Sequence, residues 1–163
     1  YVRKLDIKPC RGCRACDTTG RCIIPDDDMS SVYEKIETCN IIIVSTPLYF
    51  CNLPAQLKVL VDRSQCYWAR KYLLEIKSKK SKVKGQRRLG GFICVGAGKS
   101  KKLFQGVKQT IKYFFNVYNI NYFDDLIVTG IDIKGEIRNN LAILKDAFLL
   151  GKKISEKIVR INK

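Results

Sequence analysis

Two rhythms of apolar and polar positions run along this chain and take turns. Residues 1–7 alternate well enough to predict a short strand, and residues 41–45 form an unbroken β-branched run. Runs of that kind belong to parallel strands buried on both faces. Residues 89–95 predict a second buried strand, and residues 122–129 predict another. Between them the period lengthens to that of a helix. Met29, Val32, Tyr33 and Ile36 share one face of a helix that Asp28 caps and that runs through Cys39. Leu53, Leu57, Leu60 and Val61 fall at helical spacing, with Asn52 placed as N-cap and Pro54 in the first turn. Leu103, Val107, Ile111, Phe114, Phe115 and Tyr118 give a further stripe. A last helix follows a cap at Asn139 or Asn140, with Leu141, Leu144, Phe148 and Ile158 expected on its buried face. Strand and helix alternate four times, which predicts an α/β fold with a mostly parallel sheet. No internal repeat or linker interrupts it, so residues 1–163 read as a single domain.

Composition allows that reading. The chain has 163 residues, 46% of them hydrophobic, enough for one domain with a core. No apolar run approaches the roughly 18 residues of a membrane span. The net charge of +16 is large. It suits a nucleic acid, an acidic partner protein or an anionic cofactor, and it also suits a lysine-rich proteome. The charge is densest over residues 71–88, where Glu75 is the one acid. The run KSKKSKVKGQRR carries no interleaved aromatic rings and reads as a solvated loop rather than a nucleic-acid platform. Histidine is absent, which excludes Ser-His-Asp chemistry, His-ligated metals and an imidazole base. The chain begins at Tyr1 rather than Met, from which a missing upstream piece is expected.

The most specific chemistry lies in Cys10, Cys13, Cys16 and Cys22, spaced C-x2-C-x2-C-x5-C. Thiolates this close can wrap one small, soft metal centre, and C-x2-C-x2-C opens the bacterial ferredoxin run. No second run exists, so Cys22 must close the same cluster, and Gly20 lets the spacer turn back. Three alternatives stay open: a structural zinc site, a disulfide pair, or a site that has lost its metal. Cys39, Cys51, Cys66 and Cys94 are scattered through apolar or helical contexts, which fits a reducing, cytoplasmic compartment better than a disulfide scaffold.

Open α/β sheets bind ligands beyond the carboxyl ends of their strands. Two loops there have the right character. Ser45, Thr46, Pro47, Leu48, Tyr49 and Phe50 offer hydroxyls, backbone groups and two rings ahead of Asn52. Gly96, Ala97 and Gly98 follow the next strand, with Lys99 and Ser100 leading towards a helix N-terminus, which favours anions. A flat aromatic ligand carrying a phosphate suits the pair.

Three segments carry a family resemblance: PCRGCRACDTTGRCIIPDDDM, STPLYFCNLPAQLKVLVDRSQCYWARKYLL and GGFICVGAGKSKKLFQGVKQTIKYFF. In order and spacing the chain resembles the iron–sulfur flavoprotein branch of the NADPH-dependent FMN reductase family, from about residue 7 to the C-terminus. The resemblance implies a flavodoxin-like three-layer α/β/α fold around a parallel sheet, FMN as cofactor, and a homodimer or dimer of dimers. It implies that Cys10, Cys13, Cys16 and Cys22 hold a [4Fe–4S] cluster. It also implies that Ser45, Pro47, Tyr49, Phe50, Asn52, Gly96, Ala97 and Gly98 lie along the flavin, and it puts Arg63 and Trp68 near flavin and subunit interface. The family's first strand and its phosphate loop are missing from this chain. Residues 1–7 are therefore expected as an edge strand beside a gap in the 2-1-3-4-5 order.

The function so implied is that of an oxidoreductase passing electrons between a one-electron carrier such as ferredoxin, or NAD(P)H, and an acceptor. A cluster-free NAD(P)H-dependent FMN or quinone reductase is the alternative. A basic, zinc-containing nucleic-acid-binding module is a third reading.

Overall fold

A computed structural model describes residues 1–75 and 87–162. Most of the basic stretch read as a loop, residues 76–86, lies outside the described residues. The chain divides into two compact units, one of Tyr1–Cys39 with Ala55–Lys84, the other of Asn40–Pro54 with Gly85–Lys163.

The first unit is helical. Its opening residues correct an expectation: 1–7 make no strand. Val2–Lys4 is a single 3-10 turn, and the chain then runs extended into the cysteine loop. Asp6 pairs with Asp28 instead of with a sheet. Its N–H donates to Asp28 Oδ2 at 2.8 Å, and the Asp28 N–H donates to Asp6 O at 2.9 Å. Asp28 therefore spends its carboxylate on Asp6 and makes no side-chain cap. Its neighbour does that work: Asp27 Oδ1 accepts the Met29 N–H at 3.0 Å. The short helix α1 spans Cys16–Thr19, and α2 spans Met29–Thr38 with Met29 and Ile36 buried. Helix α3, Ala55–Arg63, breaks at Ser64 before α4, Gln65–Tyr72. α1 packs against α4.

The second unit holds the sheet. β1 (Ile41–Pro47), β2 (Leu89–Gly96) and β3 (Asn121–Thr129) lie parallel in that order. β2 pairs on both sides and is buried along nearly its whole length, as its apolar run requires. β1 departs from the expectation of burial on both faces, with Ile43 and Ser45 exposed. The reason is position, since among the described residues β1 pairs with β2 alone.

Consecutive side chains on a strand point to opposite faces, and two glycines of β2 show what covers each face. A Cβ on Gly90 would overlap the Phe115 ring of α5 (Gln105–Val117). A Cβ on Gly91 would lie 3.6 Å from Ile154 of α6 (Leu141–Ile161). α5 and α6 therefore sit on opposite sides of the sheet, giving three layers. Val107, Ile111, Phe114, Phe115 and Tyr118 are buried as the spacing predicts, whereas Leu103 is exposed in the 3-10 turn Lys101–Phe104 ahead of α5.

α6 requires a second correction. Asn140 caps it, its side chain accepting the Ile143 N–H at 3.2 Å. Its buried residues are Leu150, Ile154 and Ile158, while Leu141, Leu144 and Phe148 face solvent. At about 100° per residue the first three centre roughly 110° around the helix from the others. The expected face merged two separate apolar stripes. Leu89, Ile154 and Ile158 form a core cluster with Ile41, Phe123 and Ile161 packed against it.

Candidate functional site

The cysteine loop is held at both ends by arginines, Arg63 buried and Arg70 half-buried. Arg63, at the end of α3, has a side chain only 2% exposed, facing Asp27 at 1%. Its Nη1 donates to Asp27 Oδ2 and, at 2.7 Å, to Lys8 O; Nη2 reaches Asp27 Oδ1 at 3.4 Å. The Lys8 N–H in turn donates to Asp27 Oδ2 at 3.1 Å. Burial works against the Asp27 charge, but the Arg63 hydrogen bond and the Lys8 and Met29 N–H groups outweigh it, so its carboxyl stays below the usual range. Against its burial, the hydrogen bond to Asp27, with Tyr33 nearby, holds Arg63 more firmly protonated than a free guanidinium. At the other end Arg70 Nε donates to Gly20 O at 2.5 Å, and Arg70 Nη1 to Glu37 Oε1 at 3.0 Å. Tyr67 Oη donates to the same Glu37 oxygen at 2.6 Å. Gly20 ends α1 at φ 65°, a left-handed turn natural to glycine, and it carries the chain back towards Cys22.

Between these anchors lies a cavity of about 530 Å³. All four motif cysteines line it, together with Arg63, Cys66 and Trp68. Cys10 and Cys13 are exposed; Cys16 and Cys22 are half-buried; none forms a disulfide. The donor set, four thiols on the wall of one cavity, fits a soft metal centre. The thiols stand apart as described, since no three His, Cys, Asp or Glu side chains among the described residues are close enough to share an ion.

Sequence reasoning missed Cys66. It is buried at the start of α4, where Cys22 acts on it electrostatically and it acts in turn on Cys16. Burial pushes its thiol pKa up, against the opposing effects of Tyr33 and Arg70. Burial, then Asp17 and the neighbouring thiols, raises that of Cys16. A usable signal was present, because Cys66 lies three residues from Arg63 and two from Trp68.

The second candidate site lies in the sheet unit, where the two loops read from sequence stand side by side. Leu48 N–H donates to Val95 O at 2.7 Å, and a Cβ on Gly96 would stand 3.1 Å from Leu48 Cβ and 3.1 Å from the Phe104 ring. The lack of a side chain at Gly96 thus lets the two loops close on one another. Tyr49 and Asn52 exchange two backbone hydrogen bonds of 2.9 Å, which forces Phe50 and Cys51 to φ 47° and 60° at the tip. Tyr49 is 58% exposed and Phe50 wholly so. Ser45, Ala97 and Asn52 are exposed, Gly98 is half-buried, and buried Thr46 turns its hydroxyl to Pro47 O at 3.1 Å. Asn52 does not cap α3, which starts three residues later; its Oδ1 accepts the Leu53 N–H at 2.8 Å. Two open rings on the loop after β1, beside the glycine loop at the carboxyl end of β2, fit a flat aromatic ligand such as flavin.

The sequence profile of the NADPH-dependent FMN reductase family matches residues 1–119, close to three quarters of the chain. The chain belongs to that family. Among curated relatives it is 38% identical over 91 residues to an iron–sulfur flavoprotein of Methanosarcina thermophila, covering 56% of this chain and 47% of that one. It is 29% identical over 171 residues to an iron–sulfur flavoprotein of Methanocaldococcus jannaschii, covering 97% and 78%. The chain therefore spans about half the length of the first relative and more of the second. Among solved structures, a flavone reductase superposes at TM-score 0.67 with 14% identity, over 96% of this chain and 50% of that one. The Trp repressor binding protein of Bacillus subtilis superposes at 0.52 with 22% identity, over 71% of each. These likenesses establish the flavodoxin-like fold of this family member. Among the described residues no helix is long and apolar enough to cross a membrane.

Proposed function

We propose that this chain is the body of a redox flavoprotein, an oxidoreductase that binds FMN and a [4Fe–4S] cluster. The observation that carries the cluster is the lining of a single cavity by Cys10, Cys13, Cys16 and Cys22 in a protein whose relatives include iron–sulfur flavoproteins. FMN is assigned to the loop from Ser45 to Asn52, with Gly96, Ala97 and Gly98, on the strength of the family and of the open rings of Tyr49 and Phe50. When bound, flavin takes two electrons from a hydride donor or exchanges them singly with a one-electron centre. The chain's own part is placement and electrostatics. Arg63 and Arg70 fix the ends of the cysteine loop, and Tyr49 and Phe50 offer flat surfaces. No histidine is needed for such chemistry, and none is present. The net charge of +16 suits an acidic one-electron carrier such as ferredoxin as partner, by steering of the encounter. NAD(P)H is the other donor proposed, and a homodimer or dimer of dimers is the assembly.

One observation favours a second reading, a cluster-free NAD(P)H-dependent FMN or quinone reductase: the family whose profile matches is that of the NADPH-dependent FMN reductases. The absorption spectrum of anaerobically purified protein separates the two. The cluster reading expects a broad shoulder beneath the flavin bands that bleaches with dithionite. Flavin bands alone, with iron at background, support the cluster-free reductase.

A further inference from the structure

The guanidinium of Arg63 is buried, and its hydrogen bonds account for all but one of its nitrogens. Nη1 serves Lys8 O and Asp27, and Nη2 serves Asp27. Among the described residues, Arg63 Nε is the one buried side-chain nitrogen or oxygen with no hydrogen-bond partner. A buried N–H left unpaired carries the full cost of its desolvation, and a charged one more so. Arg63 also lines the cysteine cavity, on whose wall Cys22 stands as well. Asp27 and Lys8 hold the plane of the fork, so the direction of the remaining N–H is fixed before any ligand arrives.

We infer that Arg63 is a positioning residue for the cluster, its Nε–H donating to a sulfur of the centre bound in this cavity, with the Cys22 thiolate the first candidate acceptor. The inference rests on the cluster reading above. A hydrogen bond to a cluster sulfur, and a fixed cation nearby, stabilise the more negative reduced state and raise its potential. Arg63 thereby sets how readily the centre accepts an electron, whereas Asp27 and Lys8 set where Arg63 points. Lysine cannot substitute for it, because a single ammonium lacks the planar fork that satisfies Asp27 while aiming another donor elsewhere.

The test is an anaerobic redox titration of full-length protein with its cluster reconstituted, followed by electron paramagnetic resonance of the reduced centre. Arg63→Lys keeps a cation for Asp27 and removes the Nε donor. It is expected to bind as much iron and sulfide as the unmutated protein and to be at least tenfold harder to reduce, ~59 mV lower for a one-electron couple. Equal iron with an unchanged midpoint overturns the inference and leaves the cluster reading standing. Failure of the unmutated protein to assemble any iron–sulfur centre overturns both. Should the variant not fold, the unmutated Arg63 is probed directly. The other arginines lining the cavity, Arg11 and Arg14, are replaced by lysine, and arginine labelled with nitrogen-15 at Nε is incorporated. A nitrogen-15 hyperfine coupling on the reduced centre supports the inference, and its absence overturns it.

Discussion

Residue by residue, the cysteine loop depends on two long-range clamps that its own spacing does not reveal. The four thiols were legible because thirteen consecutive residues contain them all. The Arg63–Asp27 pair was not, because 36 residues separate its members and a buried ion pair has no local pattern. The fork is expected to govern acid stability. Asp27 has its carboxyl lowered in the folded protein, so its contribution is present above the ordinary carboxylate range near pH 4 and is lost as pH falls through the folded value. Unfolding in urea across pH 2–7 should show this loss. Asp27→Asn should remove it and, by leaving Arg63 buried and unpaired, lower stability at pH 7 by about 3–5 kcal/mol. An Asn variant as stable as the parent at pH 7 contradicts the clamp. At the thiols themselves, Cys10→Ser is expected to bring bound iron to background while FMN binding survives, since the flavin loops follow β1 and β2 in the other compact unit. Loss of FMN with retention of iron would show the two sites to be interchanged.

At the scale of elements, the sheet and the helix after Ser100 follow their patterns closely, and the departures have physical causes. Residues 1–7 alternate like a strand, yet a strand needs a neighbour for its backbone groups; Asp6 finds those partners at Asp28 instead. On α6, apolar residues occupy two neighbouring stripes, and a sequence cannot say which meets the sheet. The packing does: Ile154 is 1% exposed while Phe148 is 71% exposed. Chemical denaturation should therefore find Ile154→Ala about 2–5 kcal/mol less stable and Phe148→Ser within about 0.5 kcal/mol of the parent. Equal losses at the two positions would contradict the assignment of faces. Gly90→Ala drives a methyl into the Phe115 ring and is expected to cost about 1–3 kcal/mol.

For the molecule as a whole, fold class was the most legible property, because parallel sheets demand long apolar runs separated by amphipathic helices, and residues 89–95 with the Val107–Phe115 stripe supply both. The candidate sites were legible where chemistry is dense in sequence, at Cys10 to Cys22 and at the loops after β1 and β2. They were hidden where folding assembles them, at Cys66 and at the spare donor of Arg63. The central claim, a flavoprotein whose four motif cysteines carry a [4Fe–4S] cluster, meets its most direct test in the composition of the protein itself. Iron, acid-labile sulfide, zinc and FMN are assayed after purification without oxygen, with Cys10→Ser treated in parallel. The account expects iron and sulfide in equal amounts of about four per chain, with FMN alongside, and iron at background in the variant. Zinc in place of iron, or flavin with neither metal in both proteins, would contradict it.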